Sequence, residues 1–380
     1  MPIGKQSVYR QADAKRQPDN LISPILLRHT SASMNKQKPK ILFYIHHHGK
    51  GHLSRVQLLI PIIEKFAHVS LIIAQDDFLP AVKCALPERK IVTLPSKWSS
   101  SDVGKKRTFD TAFEGVPLSA QSTLRASFFV NHLQKEAYDG FISDVSAELT
   151  IYARGAGIPV LMQRHSGDIS IDPTQVFAYQ CANALYAPYP RQLEADDYAF
   201  FNKTYFLGSL VTSKNNSAHH YNGISIVHSD HEVINAICEA LLPIELPITA
   251  IGSERSNLHH LDKITYYEQV SDITHSANTD IIFCSGGNNT LCELLAAGKK
   301  LIVIPEPRPY EEQTAKAIKL SDINAAVHLP KAELANGENI IKALKASNDI
   351  KTDTINDMFD TSSSSQWEQS FENLIREHFL

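Results

Sequence analysis

Twice in this chain an apolar run closes on glycines and passes into a helix-like segment: "ILFYIHHHGKGHLSR" at residues 41–55 and "IIFCSGGNNTLCELL" at residues 281–295. Ile41 to Ile45 has the length and apolar character of a short buried strand. Gly49 and Gly51 permit a tight turn and let a ligand approach the backbone closely. A helix is expected from Ser54 to Phe66, kinked or shortened by Pro61. The second segment repeats the order, with a strand, a Ser285-Gly286-Gly287 turn and a helix from near Asn288. This is the unit of a parallel α/β sheet, and such sheets bind ligands beyond the carboxyl ends of their strands.

The alternation continues along the chain. "VSLIIAQDDF" and "KIVTLP" supply two more strands, a helix is expected over 119–136, and residues 138–168 read strand, helix, strand. That last stretch puts Asp144 after one strand and His165 and Asp168 after the next. A second series starts after the polar connection 211–223, with "ISIVHSD", "HEVINAICEALL" and "LPITAIGS". At 380 residues the chain exceeds the size at which one hydrophobic core stops growing. The fold class is therefore α/β, with two facing Rossmann-like lobes, each on a mainly parallel sheet. The expected division is a first lobe at 41–210, a linker at 211–223 and a second lobe at 224–360.

Three segments stand outside this series. Residues 1–40 carry eight Lys/Arg against two Asp and read as a flexible or weakly ordered extension, with Met34 a candidate native start. The polar stretch 96–117 is long for a simple connection and reads as a binding loop. Residues 361–380 place Trp367, Phe371, Leu374, Ile375 and His378 on one helical face, behind a Ser365/Glu368 capping box. That helix either closes the second lobe or crosses back to the first.

Composition excludes several classes. A 43% hydrophobic, 21% charged chain with a formal charge of -4 has no global nucleic-acid signal. Five scattered cysteines form neither a zinc pattern nor a disulfide framework, which favours a reducing, cytoplasmic setting. No apolar run is long enough to span a bilayer, and peripheral membrane contact stays open. His46, His47 and His48 would alternate faces along a strand, so they do not converge on one metal ion. The GKG lacks the spacing of a nucleotide-hydrolase phosphate loop.

The clearest chemistry lies at residues 285–293. Ser285, Gly286 and Gly287 can present consecutive amides where the helix from Asn288 directs its positive end, a setting for a diphosphate. Glu293, on the second helical turn, has two acceptor oxygens suited to adjacent ribose hydroxyls. The bland alternative is an ordinary glycine turn with Glu293 facing solvent.

"FCSGGNNTLCELLAAGKKLIVIP", the following "EEQTAKA" and, more thinly, "GKGHLSR" resemble the two-lobed (GT-B) nucleotide-sugar glycosyltransferases, particularly the bacterial lipid II-forming N-acetylglucosaminyltransferases and their relatives. The resemblance implies an inverting hexosyl or N-acetylhexosaminyl transfer from a nucleotide sugar, UDP-linked as the family guess, to an unidentified carbohydrate, lipid or small-molecule hydroxyl. It implies that Ser285, Gly286, Gly287 and Asn288 meet donor phosphate, that Glu293 meets ribose, and that Glu312 and Gln313 reach the sugar. The family's usual Gln-Gln or Asp-Gln is replaced here by Glu311, Glu312 and Gln313. Its glycine-rich opening of the second lobe is reduced to Ser229 as a phosphate contact.

In the first lobe the resemblance places Gly49, Gly51 and His52 beside donor and acceptor. His52 becomes the expected general base, with Asp144 as its partner and His165 or Asp168 as rival acceptor-side groups. Arg55 orients phosphate or stabilises the loop. No permanent cofactor and no essential metal are expected, since no transferase Asp-x-Asp motif occurs. Two other readings share this architecture, a non-hydrolysing sugar-nucleotide epimerase and a catalytically idle nucleotide-sugar-binding protein.

Overall fold

The computed structural model describes residues 38–47, 50–74, 76–98, 110–210, 221–252, 264–268, 270, 272–358 and 366–380. Met34, His48, Gly49, Ser365, most of the expected extension, residues 211–220 of the linker and residues 99–109 of the long polar stretch lie outside them.

Seven short strands form the first sheet: β1 (Lys40–Ile45), β2 (His68–Ile73), β3 (Ile91–Thr93), β4 (Gly140–Ser143), β5 (Val160–Gln163), β6 (Ala184–Ala187) and β7 (Thr204–Phe206). Their order is β3-β2-β1-β4-β5-β6-β7, with every neighbouring pair parallel. The second sheet contains β8 (Tyr221–Val227), β9 (Ile248–Ile251), β10 (Ile264–Tyr267), β11 (Thr279–Cys284), β12 (Lys300–Val303) and β13 (Ala326–His328), ordered β10-β9-β8-β11-β12-β13 and again wholly parallel. The central strands are mostly apolar, because helices cover both faces of a parallel sheet. In both sheets the order reverses beside the first strand. The crevices beyond β1/β4 and β8/β11 are therefore where such a topology holds a ligand.

Two boundaries differ from the sequence reading. Tyr221 to Gly223, expected in the linker, belong to β8, where Gly223 packs so closely on Pro247 O that a Cβ would stand 2.7 Å from it. The first helix runs Lys50–Glu64 and keeps Pro61 inside. Gly51 and His52 consequently sit in its first turn, where free amides tolerate either residue.

The terminal helix Gln366–Phe379 packs on the first lobe. Trp367, Phe371, Leu374 and Ile375 are at most 5% exposed and share a core with Ile41, Phe43, Leu59 and Ile63. Each such side chain contributes roughly 1.5–3 kcal/mol by burial. Lys65 pairs with Glu372, and the Arg376 guanidinium lies 3.9 Å from the Phe66 ring centroid. Gly140 is required beneath this helix, since a Cβ would fall 2.4 Å from Phe379.

Candidate active site between the lobes

Beyond β1 and β4 stand an imidazole and a carboxylate. The chain turns sharply after Asp144, with Val145 in the left-handed region at φ 60, an uncommon place for a β-branched residue and a mark of a functional corner. Asp144 is 1% exposed, and its Oδ2 accepts the His46 amide at 3.0 Å. His52 Nδ1 lies 2.8 and 2.9 Å from the two Asp144 oxygens. Burial pushes the Asp144 carboxyl up, but the His52 imidazole and the Arg55 guanidinium outweigh it and hold the group at about 2.

The same Nδ1 lies 3.0 Å from Arg55 NH2, yet one ring nitrogen cannot both donate to a carboxylate and accept from a guanidinium. The buried carboxylate takes the proton-bearing side, leaving Nε2 as the basic nitrogen of neutral His52. Arg55, itself 9% exposed, donates from Nε to Gln163 Oε1 at 3.2 Å and from NH1 to Asn289 Oδ1 at 3.1 Å. It therefore ties the first lobe, at Gln163, to the start of a second-lobe helix. Gly51 makes room for this junction, because a Cβ there would stand 3.2 Å from Asn289 Nδ2 and 3.3 Å from Arg55.

That second-lobe helix is Asn288–Ala296, and its N-cap Gly287 offers no side chain to its free amides. The turn before it is less open than the sequence suggested. The Ser285 amide bonds Val227 O at 3.1 Å, and the Gly286 amide bonds Gln313 Oε1 at 2.9 Å. The donors left for an anion begin at Gly287, within the helix's own first turn. Asn288 Nδ2 donates to Pro188 O at 2.9 Å, a second tie to the first lobe. Glu293, half-buried, lines a small inter-lobe cleft together with Ser54, Arg55, Leu58, Asn289 and Cys292. Burial raises its pKa, with the Asp272 charge acting in the same direction.

Gln313 and Ser229 are occupied differently from expectation. Gln313 is 3% exposed, and its Oε1 accepts from both Gly286 and Glu306 amides at 2.9 Å, so it pins the glycine turn to the neighbouring loop. A Cβ on Gly286 would lie 2.7 Å from Gln313 Cβ, which is why glycine is needed there. The Ser229 hydroxyl donates to Glu306, whose other oxygen takes Arg308 at 2.6 Å. A carboxylate beside Ser229 opposes a phosphate at that point.

The remaining candidates lie where the loop after β5 meets residues 308–312. Burial lowers His165 to about 4, and its ring sits edge-on to Tyr310, centroids 5.1 Å apart. Ser166 Oγ donates to Glu312 Oε2 at 3.3 Å. Asp168 is exposed and uses its carboxylate to cap Ser170 N at 2.8 Å. Its amide bonds Tyr310 O at 2.9 Å, and Tyr310 Oη donates to Asp172 at 2.7 Å. Tyr310 and Glu311 both hold positive φ, 61 and 51, to make this crossing. Sequence reasoning missed Asn289, Tyr310 and Asp172. Only the asparagine carried a visible signal, as a second polar residue at a helix start.

Among the described residues, no group of three or more His, Cys, Asp or Glu side chains could hold a metal ion. No described helix is long and apolar enough to cross a membrane.

Residues 232–374 match the glycosyltransferase family 28 C-terminal domain. A UDP-N-acetylglucosamine--N-acetylmuramyl-(pentapeptide) pyrophosphoryl-undecaprenol N-acetylglucosamine transferase of Polynucleobacter asymbioticus is 35% identical over 126 residues, 30% of this chain and 34% of that protein. The chain thus spans about a third or less of the length of the curated relatives it matches. Among solved structures, Acinetobacter baumannii MurG superposes with a TM-score of 0.64 at 16% identity, covering 89% of this chain and all of that one. The calicheamicin glycosyltransferase CalG4 gives 0.65 at 12% identity, covering 90% of this chain and 98% of that one. The architecture shared with these structures is GT-B, two mainly parallel α/β lobes.

Proposed function

We propose that this protein is a nucleotide-sugar glycosyltransferase that works by inversion: an acceptor hydroxyl attacks the anomeric carbon while the nucleoside diphosphate departs from the opposite face. The observation that carries the reading is the His52–Asp144 pair at 2.8 Å, set beside Arg55, which donates to Asn289 at the uncapped helix start. Asp144 fixes His52 with Nδ1–H inward, so Nε2 can take the acceptor proton as the new glycosidic bond forms. The amides from Gly287 onward, the helix end and Arg55 oppose the charge growing on the departing diphosphate. Glu293 is the ribose acceptor in this reading. The family 28 match over the second lobe supports a UDP-linked hexose or N-acetylhexosamine donor. In this reading the transfer serves cytoplasmic glycan synthesis and needs no essential metal.

The test is purified protein offered panels of nucleotide sugars with acceptor extracts, followed by product mass spectrometry and anomeric NMR. A new glycoside of inverted configuration is expected. Interconversion of the nucleotide sugar alone, or binding without turnover, overturns transfer. Single-turnover assays in chelator, with metal add-back at constant ionic strength, check the metal-independent step. Restoration by one specific divalent ion overturns that part.

A further inference from the structure

The segment after β12 crosses to the first lobe on strained backbone. Tyr310 and Glu311 stand consecutively at φ 61 and 51, and Glu311, the N-cap of the helix Glu312–Asp322, bonds none of that helix's amides through its side chain. Residues with a Cβ avoid this left-handed region, so two in succession persist only where neighbouring bonds hold them there. Three bonds from the loop after β5 do so. Tyr310 Oη donates to Asp172 Oδ2 at 2.7 Å in a buried contact, Tyr310 O accepts the Asp168 amide at 2.9 Å, and Glu312 Oε2 accepts Ser166 Oγ at 3.3 Å.

The two sides of this crossing are unequal. On the first lobe the other oxygen of buried Asp172 accepts the Thr174 and Gln175 amides at 2.9 and 3.2 Å, so a helix start fixes the carboxylate. Arg164, paired with Glu194 at 2.9 Å, also donates to Gly167 O at 2.9 Å and braces the loop. Gly167, at φ 88, approaches so closely that a Cβ there would overlap Tyr310 O. On the second lobe the matching groups ride on the strained backbone, which relaxes away from the first lobe once the hydroxyl bond is lost. A braced catch and a strained strap form an element with two arrangements, fastened and released.

We propose that residues 310–312 are a spring-loaded strap, fastened to Asp172 by the Tyr310 hydroxyl, whose release separates the loop after β5 from the helix that carries Glu312 and Gln313. The proposal stands on this geometry and not on the transferase reading, and its test needs no ligand. Amide hydrogen exchange of the full chain, resolved to single residues by fragmentation mass spectrometry, compares wild type with Tyr310→Phe and Glu311→Asn. The Asp168 amide reports the strap, because its acceptor lies across the lobes. The Arg164 and Leu329 amides, bonded to Tyr186 O and Val303 O within their own lobes, are the references. Tyr310→Phe should speed Asp168 exchange about tenfold or more, the loss of one hydrogen bond to a charged group, and leave both references unchanged. Glu311→Asn, which enters the left-handed region more readily, should slow it about twofold or more. Should Tyr310→Phe not fold, Gly167→Ala, which forces a Cβ against Tyr310 O, should give the same acceleration. Unchanged Asp168 exchange in Tyr310→Phe overturns the strap, and equal acceleration of the references overturns it too, by making the bond a support of the whole fold. Faster or unchanged exchange in Glu311→Asn overturns the stored strain.

Discussion

The two lobes end their first strands in the same way and use the result differently. His46 follows β1 and His228 follows β8, each at the point where its sheet order reverses. In the second lobe the His228 ring is 4% exposed and both nitrogens are spent, Nδ1 accepting the Asp230 amide at 3.0 Å and Nε2 donating to Ile304 O at 3.1 Å. In the first lobe the strand-end backbone, through the His46 amide, helps fix Asp144, and Asp144 holds a different imidazole, His52, by one nitrogen only. The same crevice thus yields a structural histidine in one lobe and a histidine with a basic nitrogen in reserve in the other. What separates them is the carboxylate after β4, where the second lobe has Ser285 after β11.

If that difference is chemical, His52→Ala should give the largest effect. The chemical step is expected to fall by about 10² to 10⁴ while donor affinity holds, read by single-turnover kinetics beside calorimetry. A rate near wild type would erase the contrast between the lobes.

Asp144→Asn sharpens the same comparison through pH. The Asp144 carboxyl is held at about 2, below its ordinary 3.8, so its stabilisation is fully present above about pH 4 and is lost as pH falls through 2. Wild type should exceed the variant by on the order of 2 kcal/mol at neutral pH, with the gap closing between about pH 4 and 2 in urea unfolding. A gap constant with pH would mean that His52 and Arg55 are not what hold the carboxylate.

Glu293→Ala tests the second lobe's share. Donor affinity should weaken about 10- to 100-fold with the folded state intact, the loss expected for hydrogen bonds to a charged group. Unchanged affinity would take the ribose role from Glu293. The smallest effect on chemistry is expected for His228→Asn, which should cost about 1–3 kcal/mol of stability by leaving a buried partner unpaired and should spare the chemical step. A large kinetic loss there would show that the second crevice does more than hold its own loop.

Much of the fold could be read without coordinates, because strands of a parallel sheet are continuous apolar runs and their turns carry glycine. Each expected strand that falls among the described residues is present, and the misjudged limits were local. Gly51 belongs to a helix rather than a turn, and Tyr221 to Gly223 to a strand, since propensity does not fix ends to within a few residues. The site was legible as residue types and illegible as bonds. Gln313 shows the limit: the resemblance implied a sugar contact, and only the structure reveals that its Oε1 takes the amides of Gly286 and Glu306.

The sequence by itself determined two parallel α/β lobes and the positions of Asp144 at a strand end and of His52 and Glu293 in the turn or helix that follows a strand, since hydrophobic period and glycine placement act over a few residues. Tertiary structure decided which of these groups meet. His52 and Asp144 are 92 residues apart, and Arg55 and Asn289 are 234 apart. Nothing local distinguishes the amide of Gly287, left free, from that of Gly286, taken by Gln313. Hydrogen-bond partners across such separations are chosen by how sheets and lobes pack, and the same packing sets the burial that lowers His165 and Lys316 and the basic neighbours that lower Asp144.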